Sequence, residues 1–100
     1  VAVLGDMAEL GAYSLEGHRR VGRVVAKQIK PHFLITIGSH AAEIARSAAA
    51  NGMPRRQIHT FPSQTEAYNF IIKHVPSGAI LYFKASRSAH LEKLVKRLKA

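Results

Sequence analysis

VAVLGDMAELG, Val1 to Gly11, decides how this chain is read. Four apolar residues stop at Gly5, an acid follows at Asp6, a second at Glu9, and Gly11 closes the stretch. A short apolar run with polar residues straight after it reads as a buried parallel strand that delivers a loop to one edge of a sheet. Ligands of open α/β sheets bind outside the carboxyl ends of the strands. Asp6 and Glu9 are therefore candidate binding residues, able to hold an ammonium group or to help order a cation. The plainer alternative is a loop cap, with the Asp carboxylate accepting backbone N–H groups.

The layout recurs near the C-terminus, where Ala79-Ile80-Leu81-Tyr82-Phe83 runs into Lys84-Ala85-Ser86-Arg87. Lys84, Ser86 and Arg87 are candidates for binding a carboxylate or phosphate, and Arg87 can do so bidentately. The free N–H groups at the start of the next helix would add to that preference. The alternative is a solvated basic loop.

Between these loops the chain alternates. Ser14 reads as an N-cap, and Val21, Val24, Val25 and Ile29 fall on one face of a helix that Pro31 ends. Phe33 to Ile37 is a second buried strand closed by Gly38, and Ser39 reads as the cap of an alanine-rich helix ending at Asn51-Gly52. Ile58 to Phe61 is a short strand near an edge. Ser63 and Glu66 have capping-box spacing ahead of Tyr68, Ile71, Ile72 and Val75. Leu91, Leu94, Val95 and Leu98 repeat as an amphipathic terminal helix. Strand and helix alternate four times. The expected fold is α/β, a Rossmann-like, mainly parallel sheet with right-handed crossovers and helices on both faces.

One hundred residues with 47% apolar content make one small domain with an aliphatic core. No cysteine is present, so disulfides and thiolate metal sites are excluded. No run reaches the length of a membrane span, and the N-terminal stretch lacks the basic flank of a signal peptide. Neither G-x-G-x-x-G nor G-x-x-x-x-G-K-[ST] occurs, nor does a credible nucleophile–base pair, so no residue is assigned a catalytic role. The six histidines include no HxxxH or HxH, and no metal ligand is expected. His18 reads as packing or capping near the first loop, while His40 follows a strand-end glycine and could face the cleft. The net charge of +9 points to an anionic partner.

VLGDMAELG, with Glu16, His18 and Arg19 after it, resembles the C-terminal domain of the Mur ligases. KASRSAHLE resembles the family pattern of Lys-Gly-Ser-Arg followed by an acid. The resemblance spans essentially the whole chain, with FLITIG, the AxxxG of Ala48 to Gly52 and Glu66-Ala67 between the motifs. Ala85 stands where the family usually has Gly, and would be strained if that position needs positive φ.

The resemblance implies an ATP-dependent, cytoplasmic ligase of peptidoglycan precursor synthesis that adds D-alanyl-D-alanine to UDP-N-acetylmuramoyl-tripeptide. ATP and Mg would be bound mainly by a central domain outside this chain, against which residues 1–100 would work. The Lys84 to Arg87 loop would hold the dipeptide carboxylate, and Asp6 and Glu9 would line the amine side or the domain interface. The resembled domain normally begins with an additional strand and helix, so residues 1–100 are expected to lack its first strand–helix unit and to be inactive alone. The rival reading is a basic nucleic-acid-binding or regulatory module. Against it, the cations are scattered over several helices without an aromatic stacking platform, so no nucleic-acid partner is expected.

Overall fold

The computed structural model describes residues 1–7, 15–85 and 89–99. Ser14, Glu9, Ser86 and Arg87, all singled out above, lie outside the described residues. Four parallel strands, β1 (Ala2–Gly5), β2 (Leu34–Ile37), β3 (Ile58–Phe61) and β4 (Tyr82–Lys84), form one sheet in the order β3-β2-β1-β4. The helices are α1 (Leu15–Val24), α2 (Ala42–Ala50), α3 (Gln64–His74) and α4 (Leu91–Lys99). The expected parallel α/β sheet is what forms.

β1 is central, and every residue from Ala2 to Gly5 is buried, as is every residue of β2. Strands covered on both faces need continuous apolar runs, which is why AVLG and LITI do not alternate with polar residues. On one face Ala2, Leu4 and Leu34 pack with Val25 of the helical segment after α1 and with Ile44 and Ala48 of α2. On the other, Val3, Ile35 and Ile37 pack with Ala67 and Ile71 of α3 and with Leu91 and Leu94 of α4. Helices therefore cover both faces. The first pair is joined by Ser47 Oγ donating to the Arg19 carbonyl at 2.6 Å, and by Glu43, which accepts from Arg19 and Arg46.

Several elements differ from the sequence expectation. The helix expected to run to Pro31 is α-helical only to Val24, and Val25–Ile29 widen into a π-helix. The Lys30 N–H bonds the Val25 carbonyl five residues back, and Lys30 closes the turn at φ 48°. Of the apolar stripe on this segment, Val25 is buried but Val24 and Ile29 are 37% and 55% exposed. Ser39 does not cap α2, whose N-cap position is Ala41 with no cap from its own side chain. The last strand was expected to be a buried one from Ala79 to Phe83. It is instead an edge strand of three residues, paired among the described residues with β1 alone, and Tyr82 is 56% exposed and Ile80 86% exposed. The Ser63 cap of α3 does form, its hydroxyl accepting the Glu66 N–H.

Candidate functional site

The carboxyl ends of β1, β2 and β4 lie side by side, because Gly5 pairs with Ile37 and Leu4 pairs with Lys84. Asp6 leaves β1, Gly38 to Ala41 leave β2, and Lys84-Ala85 leave β4. The sheet thus brings the two candidate loops to one edge.

Asp6 turns toward the β2–α2 turn. Its Oδ1 accepts the Ala41 backbone N–H at 2.6 Å, and its Oδ2 lies 3.3 Å from His40 Nδ1. An ionised carboxylate only accepts, so His40 supplies the proton. Asp6 therefore does for α2 what Ser39 was expected to do. An acid at a helix N-terminus satisfies an orphan N–H and meets the positive end of the helix dipole. Gly38 makes this possible. It sits at φ +111°, and a Cβ there would stand 2.6 Å from Asp6 Oδ1. Met7, the next residue, is buried, and its N–H donates to His18 Nε2 at 3.2 Å.

Lys84 is exposed and lines the surface beside Tyr82 and Arg20 on the α1 side of β4. The structure places Asp6 and Lys84 on neighbouring strand ends but directs Asp6 toward β2, away from the β4 side. Ala85 is not among the residues at positive φ, so the substitution of the family Gly brings no backbone strain. Its consequence is steric, since a Cβ on Gly5 would lie 2.9 Å from the Ala85 Cβ. Beyond the loop, Gln64 Nε2 donates to the Ala89 and His90 carbonyls, tying the start of α3 to the approach to α4. At the α4 N-terminus Glu92 is held below its ordinary pKa by its own backbone N–H and then by His90. Part of the anion preference of that helix end is thus met by a carboxylate of the chain itself.

Sequence reasoning did not single out Gly38, Ala41 or Gln64 for roles at this edge. Only Gly38 carried a signal, as an isolated glycine just past an apolar run. Among the described residues, no group of three or more His, Cys, Asp or Glu could hold a metal. No described helix is long and apolar enough to cross a membrane.

Comparison with known proteins identifies the lineage. The family described as Mur ligase, glutamate ligase domain, matches residues 1–87. The chain is 32% identical to UDP-N-acetylmuramoyl-tripeptide–D-alanyl-D-alanine ligase of Bacillus subtilis (strain 168) over 96% of its own length. It is 37% identical to the protein of the same name from Synechocystis over its whole length. It spans about a fifth of these relatives, 21% of each. A crystal structure of MurF from Acinetobacter baumannii superposes with a TM-score of 0.77 at 28% identity, covering 97% of this chain and 21% of that one. MurF from Thermotoga maritima in complex with ADP has the same fold, with a TM-score of 0.70 at 21% identity, over 98% of this chain and 21% of that one. With the sheet, the VLGDM loop and these matches in hand, the chain belongs to the C-terminal domain family of the Mur ligases.

Proposed function

We propose that residues 1–100 are the C-terminal domain of a cytoplasmic ATP-dependent ligase that joins D-alanyl-D-alanine to UDP-N-acetylmuramoyl-tripeptide. The observation that carries this is the match, over nearly the whole chain, to two relatives that bear that name. The role of the domain is to receive the dipeptide. Lys84, Ser86 and Arg87 supply cations and a hydroxyl for its carboxylate. Asp6 and Glu9 would serve its amine or the interface with the neighbouring domain, the Asp6 carboxylate being braced by Ala41 and His40.

Among the described residues nothing fits a site for ATP or Mg. The sequence has no phosphate loop, and the described residues have no cluster of metal ligands. That chemistry belongs to a central domain of the longer chain, which is also the partner against which this domain closes.

The same reading includes a strand–helix unit ahead of Val1. Support comes from an apolar groove of about 230 Å³ between α1 and β4, lined by Leu4, Val21, Val24, Ile29 and Tyr82. α1 and α2 cover this face as the chain steps from β1 to β2 to β3. A right-handed crossover on that face, entering β1, must start from a strand outside β4 and lay its helix in this groove. The unit would cover Tyr82, Val24 and Ile29 and pair the free edge of β4.

Steady-state kinetics of the full-length enzyme test the site. Arg87→Ala removes a charge-assisted, bidentate contact, so the KM for D-alanyl-D-alanine should rise about ten- to a hundredfold with that for ATP little changed. Arg87→Lys should restore part of it, because a point charge lacks the planar fork. An unchanged dipeptide KM, or an equal loss for ATP, would sink the assignment.

A further inference from the structure

Among the described residues, the proposed function leaves one buried ionisable side chain unused. His18, on α1, is 1% exposed. Burying an imidazole is costly unless its nitrogens are bonded, and Nε2 accepts the Met7 N–H at 3.2 Å. Nε2 can accept only when unprotonated, so the proton of the neutral ring is on Nδ1. The bond reaches across eleven residues, from the first turn of α1 to the exit of β1. Met7 follows Asp6 directly, and the His18 ring lies 6.1 Å from that of His40, the residue beside the Asp6 carboxylate. Two consecutive residues leaving β1 are thus gripped from different elements. Asp6 is held through its side chain by the β2–α2 turn, and Met7 through its backbone by α1.

We propose that His18 is a positioning residue for the incoming dipeptide. By holding the Met7 N–H it fixes the backbone where β1 leaves the sheet, and through that backbone the Asp6 carboxylate, without touching substrate itself. The inference rests on the ligase reading above. It differs from core filling in a testable way: any apolar side chain of similar size can fill space, but only an acceptor at the place of Nε2 can hold Met7. Glutamine offers Oε1 as many bonds from Cα as Nε2; leucine offers none.

The experiment is steady-state kinetics and melting of the full-length ligase carrying His18→Gln or His18→Leu. His18→Leu should raise the KM for D-alanyl-D-alanine roughly tenfold, the equivalent of one lost hydrogen bond to a buried donor. The KM for ATP should stay within about twofold, and His18→Gln should recover most of the loss. Equal dipeptide KM values in the two variants, or parallel changes for both substrates, overturn the proposal. If His18→Leu does not fold, amide hydrogen exchange at Met7 decides: it should be slow in the wild type and in His18→Gln, and fast exchange in the wild type overturns the proposal. A wild-type enzyme that does not use D-alanyl-D-alanine overturns the ligase reading and the substrate part of this inference with it. The Met7 exchange rate then still reports whether His18 holds the β1 exit.

Discussion

The loops after β1 and β4 leave adjacent parallel strands at the same end of one sheet, yet the protein holds them differently. The β1 loop starts from the central strand and is braced at once. Asp6 is bonded to the Ala41 N–H and His40, Met7 is bonded to His18, and Gly38 is packed against the Asp6 carboxylate. The β4 loop starts from an edge strand. Lys84 is exposed, and among the described residues a side-chain tie beyond the strand runs from Gln64 to the carbonyls of Ala89 and His90. A central strand has neighbours on both sides to grip what leaves it, and an edge strand has one. The acidic loop consequently directs its first carboxylate inward, to cap a helix, while the basic loop presents Lys84 to solvent, where an anion can reach it.

The largest expected effect breaks the bracing of the first loop. Gly38→Ala forces a Cβ onto Asp6 Oδ1 and a side chain into positive φ. It should destabilise the domain by about 2–4 kcal/mol, the sum of overpacking and backbone strain. The domain's own unfolding transition in urea reads this, and a loss below about 0.5 kcal/mol would show that the Asp6 contact is not fixed.

A second measurement probes where the two loops meet. Gly5→Ala puts a Cβ 2.9 Å from that of Ala85, with Ala89 and Leu91 at 3.4 and 3.6 Å. It should cost about 1–3 kcal/mol alone. In an Ala85→Gly background at least half of that should return, a coupling a double-mutant cycle would report directly. Additive effects would mean that Ala85 is not the residue Gly5 makes room for.

The smallest effect sharpens the contrast. Lys84→Ala should change stability by no more than about 0.5 kcal/mol, as expected of an exposed side chain at the end of an edge strand. A larger loss would show that the β4 loop is braced as the β1 loop is.

Much of this fold is legible in the residues themselves. Val1 to Leu4, and Leu34 to Ile37 with Thr36 its one polar residue, read as strands covered on both faces, and Ser63 with Glu66 marks the start of α3 by a purely local bond. What stayed hidden depends on partners distant in sequence. Ser39 has the right type and place for a cap, but Asp6, thirty-five residues before Ala41, takes the Ala41 N–H instead. Val24 and Ile29 have core periodicity, but whether that face is covered depends on strand order, which periodicity does not encode. The tail strand looked buried because its composition is apolar, and its position outside β1 leaves Ile80 and Tyr82 in solvent. In the site, the acids and cations could be found by their types. The direction of the Asp6 carboxylate could not, since it is set by a turn on another strand.

The π-helix after α1 bears on how chain length can vary in this domain. Val25–Ile29 use a five-residue step, Lys30 N–H to Val25 carbonyl, where an α-helix would use four. One residue is therefore stored in the helix as a bulge rather than looped out of it. Deleting one residue between Val25 and Ile29 would return the segment to ordinary α-helical bonding while leaving the register of β1 against β2 intact. An alignment gap of one residue at this point is thus the insertion or deletion the architecture absorbs most readily, and the strands on either side need not shift to accommodate it.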